Sequence, residues 1–316
     1  MARQFLLILT LLSLTGTFAQ YSAGGCHSGK PMDRDELALI SGTTTIFFLR
    51  TTDEARADEW KKAVETAWTF TPIEVHPVTD MPAFADKMAS PQGYSFITLE
   101  SSWTMMDNYV PSVTLLFWVP TREAHIVNGQ ESEQRQQFMR MNMEVDLAVL
   151  DYALSHNYRS SFASYLYSDA PLPFWLPHIM ADMLRRASAD LKDGVCYNAT
   201  GETRVSKENK AFVAANPLYV CEGSLRQWTY KDKRLQYKNE QAEMLDALDH
   251  PTKVISEAEL DRMLADPDQP PFLFLLSTHR EYLAHLTLWK SGARGAVQWV
   301  STEGHRLNKG FDRILH

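Results

Sequence analysis

HPTKVISEAELDRMLADPDQPPFLFLLST runs from His250 to Thr278, and TPIEVHPVTDMPAFADKMASPQGYSFITLESS from Thr71 to Ser102. Laid side by side, the two stretches match without a gap from Val78 and Val254 onward. Phe84 falls on Leu260, Met88 on Leu264, Ala89 on Ala265, Pro91 on Pro267, Phe96 on Phe272 and Leu99 on Leu275. The periodicities around them also agree. TTTIFFL (Thr43 to Leu49) and PLYVC (Pro217 to Cys221) are short, apolar and β-rich, the pattern of buried strands. Each is followed by a helical stretch: EWKKAVETAW, with Trp60, Val64 and Trp68 on one face, and EQAEMLDAL, with Met244, Leu245 and Leu248 apolar. Next come a half-buried strand (PIEVHPV, then TKVI), a short helix, an apolar strand (YSFITL, then FLFLL) and a closing strand (SVTLLFWV, then YLAHLTLW).

The helix boundaries follow local chemistry. Ser256 with Glu259 forms a capping-box pattern, and Asp80 is the expected cap before Met81. Pro91 and Pro267 fall just past the short helices, where a ring that cannot continue the helix belongs. The fold class expected is therefore α/β, with two related β-α-β-α-β-β modules: residues 42–120 and 196–316, joined by a helical connector over 121–195. In the connector, Met139, Met143, Leu147, Leu150 and Leu154 recur at helical spacing, and WLPHIMADMLRRASADLKDG predicts a second helix ended by Gly194. After Trp289, the turn SGARG and the run AVQWVST predict a C-terminal antiparallel hairpin.

That element order resembles the thioredoxin-like fold, in which two parallel strands joined by a helix adjoin an antiparallel pair. The resemblance is one of order. After Leu49 the chain reads RTTDEARADEW, without a cysteine where such a fold carries its redox pair, and Cys221 has no near neighbour in sequence. Disulfide exchange needs a nucleophilic thiolate and a resolving partner, so that chemistry is not expected. The runs FFLR, EWKKAVETAWTFTPIEV and FLFLLST…YLAHLTLWKSGARGAVQWVSTEGHRL also resemble a group of uncharacterised secreted bacterial proteins. This second resemblance implies a location in the cell envelope and carries no activity.

The first residues agree with export. Arg3 precedes the apolar run FLLILTLLSLTGTFA and a small residue, the layout of a secretory signal over residues 1–19. The apolar block is short for a membrane anchor, and no later stretch approaches spanning length. Residues 20–41 read as a flexible leader to the first module, and within them SAGGC raises lipid attachment at Cys26. The net charge of −8, one unit more negative once Arg3 is removed, argues against duplex nucleic acid as partner. Cys196 and Cys221 are the candidate disulfide, worth about 3 kcal/mol in the chain-entropy model; two buried free thiols are the other reading.

Chemical motifs are sparse. No G-x-S-x-G elbow, H-E-x-x-H pair, Walker loop or G-x-G-x-x-G fingerprint occurs. His178 and Asp182 share a predicted helix face with Arg185 and Arg186 following, a local hydrogen bond rather than half of a metal site. Glu144, Asp151 and His156 read the same way, so no metal, cofactor or catalytic residue is assigned. The one local basic stretch is LRQWTYKDKRLQYKNEQ, where Arg226, Trp228, Tyr230, Lys233, Arg234 and Lys238 interleave cations with aromatics. In an exported protein this suits an anionic envelope ligand or the acidic face of a partner protein. The function expected is non-catalytic binding, against a hydrolase whose carboxylates converge between the modules.

Overall fold

The computed structural model describes residues 31–32, 34–104, 110–121, 125–127, 130–132, 135–155, 159–198, 207–225, 227–231, 234–238, 250–280, 283–292 and 298–302. The first module opens with α1 (Arg34–Ser41) and β1 (Thr44–Leu49). It continues through α2 (Ala57–Ala67), β2 (Ile73–Pro77), α3 (Ala85–Ala89), β3 (Tyr94–Thr104) and β4 (Val110–Pro120). β1 is apolar along nearly its whole length because it is central and covered on both faces. It pairs in parallel with β2 on one side and β3 on the other, and β3 pairs antiparallel with β4.

The second module repeats this plan. β9 (Leu218–Cys221) lies between β12 (Thr252–Ile255) and β13 (Leu273–Arg280), parallel to both, and β13 runs antiparallel to β14 (Leu283–Lys290). β14 then pairs antiparallel with β15 (Gln298–Thr302), the predicted C-terminal hairpin. The sheet orders are β2-β1-β3-β4 and β12-β9-β13-β14 at corresponding positions. The shared order of periodicities in the sequence therefore corresponds to a shared strand order and direction. The EQAEMLDAL helix lies outside the described residues.

Three expectations are corrected. The chain from Arg135 to Asn142 is not helical: it is β7, antiparallel to β4, with β8 (Tyr197–Asn198) parallel beyond it. The ladder to β4 decides this, with Met141 opposite Leu115 and Met139 opposite Phe117, a pairing that the helical spacing of the methionines obscures. The connector helices are α4 (Leu147–Ser155), α5 (Arg159–Tyr167) and α6 (Pro177–Lys192). Second, the end of the leader is structured: Pro31 bridges Val195, and α1 buries Ile40 completely. Third, the turn from Val78 to Phe84 is a 3₁₀ helix that begins after Pro77 without a side-chain cap, and Asp80 instead faces His76 Nδ1 at 3.4 Å. Ser256 behaves as expected, its hydroxyl accepting from Glu259 N at 3.1 Å.

The core joins both modules. Phe47 of β1 stacks on Trp60 of α2 and on Trp175, with ring centroids 6.2 and 6.1 Å away, and Trp68 meets Phe117 of β4 edge-on. On the opposite face, Phe48 packs edge-on against Phe84. α6 lies against α2 on one side and against α8 (Glu257–Ala265) of the second module on the other. The same continuous apolar cluster contains Trp60 and Leu184 as well as Cys221, Leu260 and Phe274.

The Cys196–Cys221 bridge does not form. Cys221 is a free, buried thiol, and Cys196 is disulfide-bonded elsewhere. Cys221 ends β9 beside Glu257, close to the start of α6, whereas Cys196 follows the end of that helix. A helix of this length spans about 24 Å, several times what a disulfide bridges. Cys26, the remaining cysteine and the candidate for lipid attachment, lies outside the described residues. In denaturant without reductant, a thiol-alkylating reagent should label Cys221 and leave Cys196 unlabelled. Peptide mapping that recovers a Cys196–Cys221 linked pair would contradict this architecture.

Candidate functional site

The two modules meet at the start of α6, and the polar groups gathered there form the candidate site. The local sequence leaves α6 without a cap of its own. Its N-cap is Leu176, whose side chain accepts nothing, and its first residue is Pro177. The amides of His178 and Ile179 would be left unpaired within the helix. Both instead donate to Asp261 Oδ1, at 2.8 and 3.0 Å, from α8 of the second module. A carboxylate in this position also meets the positive end of the helix dipole, which explains how Asp261 stays buried.

Around this cap sit groups from the first module. Asp261 Oδ2 receives Arg56 Nη2 at 3.5 Å. Arg56 also binds Glu59 in a fork, Nε to Oε2 and Nη2 to Oε1, each at 2.8 Å. That pairing pushes the Glu59 carboxyl below its usual range and raises the Arg56 guanidinium further. His178 Nε2 lies 3.3 Å from Glu59 Oε1. One donor atom from each of Glu59, His178 and Asp261 lies within 4.8 Å of the others, a spacing open to a cation.

Next to it is the turn after β1, where the thioredoxin-like order would carry its redox residues. Asp53 is buried, and its Oδ2 accepts from both Trp175 Nε1 (2.7 Å) and the Arg50 amide (3.1 Å). Burial pushes the Asp53 carboxyl above the ordinary aspartate range, against the lowering effect of those bonds. The buried Arg50 donates to the carbonyls of Leu166 and Ala170 near the end of α5, where a cation is favoured. The equivalent turn of the second module, Glu222–Leu225, follows Cys221, whose thiol burial pushes up to about 12. Such a thiol has no thiolate at neutral pH. Gly223 is the glycine of close approach: a Cβ there would meet Glu257 Oε1 at 2.5 Å, and Glu257 Oε2 accepts the amide of Phe174 at 3.4 Å.

The sequence-assigned residues are distributed differently. Asp182 does not bond His178: it takes Arg186 Nε at 2.9 Å and Arg185 Nη1 at 3.1 Å. Glu144 is buried ahead of α4, and His156 lies outside the described residues. Of the basic stretch, Arg226 and Lys233 lie outside the described residues, and Trp228, Tyr230, Arg234 and Lys238 fall on the hairpin β10 (Gln227–Lys231) and β11 (Arg234–Lys238). Its register pairs Trp228 with Tyr237, Tyr230 with Leu235 and Lys231 with Arg234. In the same register Gln227 pairs with Lys238 and Thr229 with Gln236, so pairs that hold a cation alternate with pairs that hold an aromatic residue at the two ends of the ribbon. Arg56, Glu59 and Asp261 escaped sequence reading because they lie on helices of different modules; the missing cap at Leu176-Pro177 was the one available signal.

Comparison with family models, with curated proteins and with solved structures yields no match.

Two outcomes follow. Asp261→Ala should lower stability by about 1–2 kcal/mol through loss of the cap, read as a reduced denaturation midpoint. Asp53→Asn keeps an oxygen for both hydrogen bonds. Because the native carboxyl has a raised pKa, the wild-type protein loses stability as pH rises from the ordinary aspartate value through the native one. The variant should lack that loss, seen as a flatter profile of unfolding free energy above pH 4.

Proposed function

We propose that this chain is an exported, non-catalytic protein that binds an anionic ligand of the cell envelope, or the acidic face of a partner protein, through the β10–β11 hairpin. The observation that carries this reading is the hairpin's register. Lys231 pairs with Arg234 and Gln227 with Lys238, at register positions that alternate with Trp228–Tyr237 and Tyr230–Leu235. A ribbon of this kind offers cations to phosphate, sulfate or carboxylate groups while its apolar residues pack on protein or acyl chains. The hairpin lies between β9 and β12, at a point of the second module where the first module has α2 and no strand.

The described residues of the turns after β1 and β9 support binding over exchange chemistry there. Arg50 and Asp53 are tied to backbone and indole partners, and the Cys221 thiol is buried. Export rests on the N-terminal signal pattern and agrees with a disulfide at Cys196. The hydrolase reading draws on the raised Asp53 carboxyl, but the oxygen that would act already holds two hydrogen bonds.

Sedimentation with vesicles containing anionic lipid, against neutral vesicles, tests the reading directly. The wild-type protein should bind the anionic vesicles and be released by salt. The variant Lys231→Glu/Arg234→Glu/Lys238→Glu, with an unchanged melting temperature, should lose at least about tenfold in partitioning. Equal partitioning of both proteins, or none by either, would sink the lipid form of the proposal. The same pair of proteins applied to immobilised acidic partners from the envelope fraction decides its protein form.

A further inference from the structure

We propose that Glu59, His178 and Asp261 form a divalent-metal site, zinc being the ion that fits, in which the Arg56 guanidinium holds the cation position when the ion is absent. The three donors come from α2, α6 and α8, so an ion bound there is shared by both modules and the connector. His178 Nε2 and Glu59 Oε1 are 3.3 Å apart. That is about the edge of a tetrahedron with metal–ligand bonds near 2.0 Å.

The second oxygen of each carboxylate is already held. Asp261 Oδ1 accepts the two α6 amides, and Glu59 Oε2 accepts Arg56 Nε. Outer-shell partners of this kind fix the orientation of ligands before an ion arrives. Glu59 Oε1, Asp261 Oδ2 and His178 Nε2 are left to converge, and Arg56 Nη2 touches both of those oxygens. A positive group therefore already sits where the ion would. Arg56 is 43% exposed, so it can swing outward without disturbing the core. One imidazole and two carboxylates, with a fourth position facing water, is a zinc-type donor set; magnesium and calcium favour all-oxygen shells.

Two features oppose the ion. Arg56 competes for the same oxygens, and the start of α6 carries positive dipole. Removing the competitor should therefore tighten binding, an outcome that a purely structural ion-pair cluster does not produce. This inference stands apart from the proposed anionic ligand, since it uses different residues and a ligand of opposite charge.

Calorimetric titration of the whole chain with zinc chloride provides the test, with thermal unfolding in parallel. The wild-type protein should bind one equivalent and gain melting temperature. Arg56→Gln should bind about tenfold more tightly, and His178→Ala and Glu59→Gln at least about tenfold more weakly, without the thermal gain. All three positions are partly exposed, so folding should survive; circular dichroism checks it. Should His178→Ala misfold, cobalt(II) absorption in the wild-type and Arg56→Gln proteins, with the intensity of tetrahedral nitrogen–oxygen ligation, replaces it. No stoichiometric zinc binding by either protein, or affinity unchanged by both Arg56→Gln and His178→Ala, would overturn the site.

Discussion

The cap that Asp261 supplies to α6 is the contact on which the arrangement of the two modules depends. α6 begins with a leucine and a proline, so its free amides must find a partner outside the helix. They find it on the other module. Further along, the buried Arg186 is neutralised by Asp182 and extends Nη2 to the carbonyl of Lys290, at the end of β14, at 2.8 Å. Near the other end of the helix, Ser188 Oγ accepts the amide of Thr69 from the first module at 2.9 Å. One helix thus holds directional bonds to both modules. A buried arginine paired only with a neighbouring carboxylate adds little net stability, yet its third bond has a single geometry. Directional contacts of this sort fix the modules in place, and the aromatic packing of Phe47, Trp60 and Trp175 supplies the bulk of the apolar burial around them.

How much of this was legible depended on the range of the interaction. Local signals read well. The apolar runs became the central strands β1 and β9, Ser256 capped its helix, and Gly194 ended α6 with a positive φ of 70°. Where two periods coincided, the reading failed. Met139 and Met143 are four apart, which suits a helix, but Arg135 to Asn142 is a strand, because the edge of β4 offered it a ladder that a helix could not fill. The cysteines failed for another reason. Spacing along the chain carries no information about which end of a helix each residue occupies, and Cys196 and Cys221 lie beyond opposite ends of α6.

The candidate site was nearly invisible in sequence because each residue in it has a plain local explanation. Arg56 and Glu59 are an ordinary three-residue helix pair, His178 is a polar residue in a first turn, and Asp261 lies in an amphipathic helix rich in charge. Only the fold brings them together. The turn after β1, which the thioredoxin-like order singled out in the sequence, lies beside the junction through Asp53 and Trp175.

That neighbourhood also explains why two modules with the same strand plan need not share a function. At the turn after the first strand, the first module carries Arg50 and Asp53, and both are spent on holding α5 and Trp175. The second carries Cys221 and Gly223, the latter packed so closely under Glu257 that no larger residue fits without moving that carboxylate. Each module has thus committed its most reactive position to packing against the connector. The hairpin of the second module also meets the connector, for β11 lies beside α4. Lengthening the chain between β9 and β12 into a charged ribbon changes nothing in the parallel pairing of those two strands, because they remain in register from Leu218 with Thr252 to Cys221 with Ile255. A change of the hairpin therefore leaves that pairing in place, whereas a change at the turn after β1 would have to undo the bonds that hold α5 and Trp175.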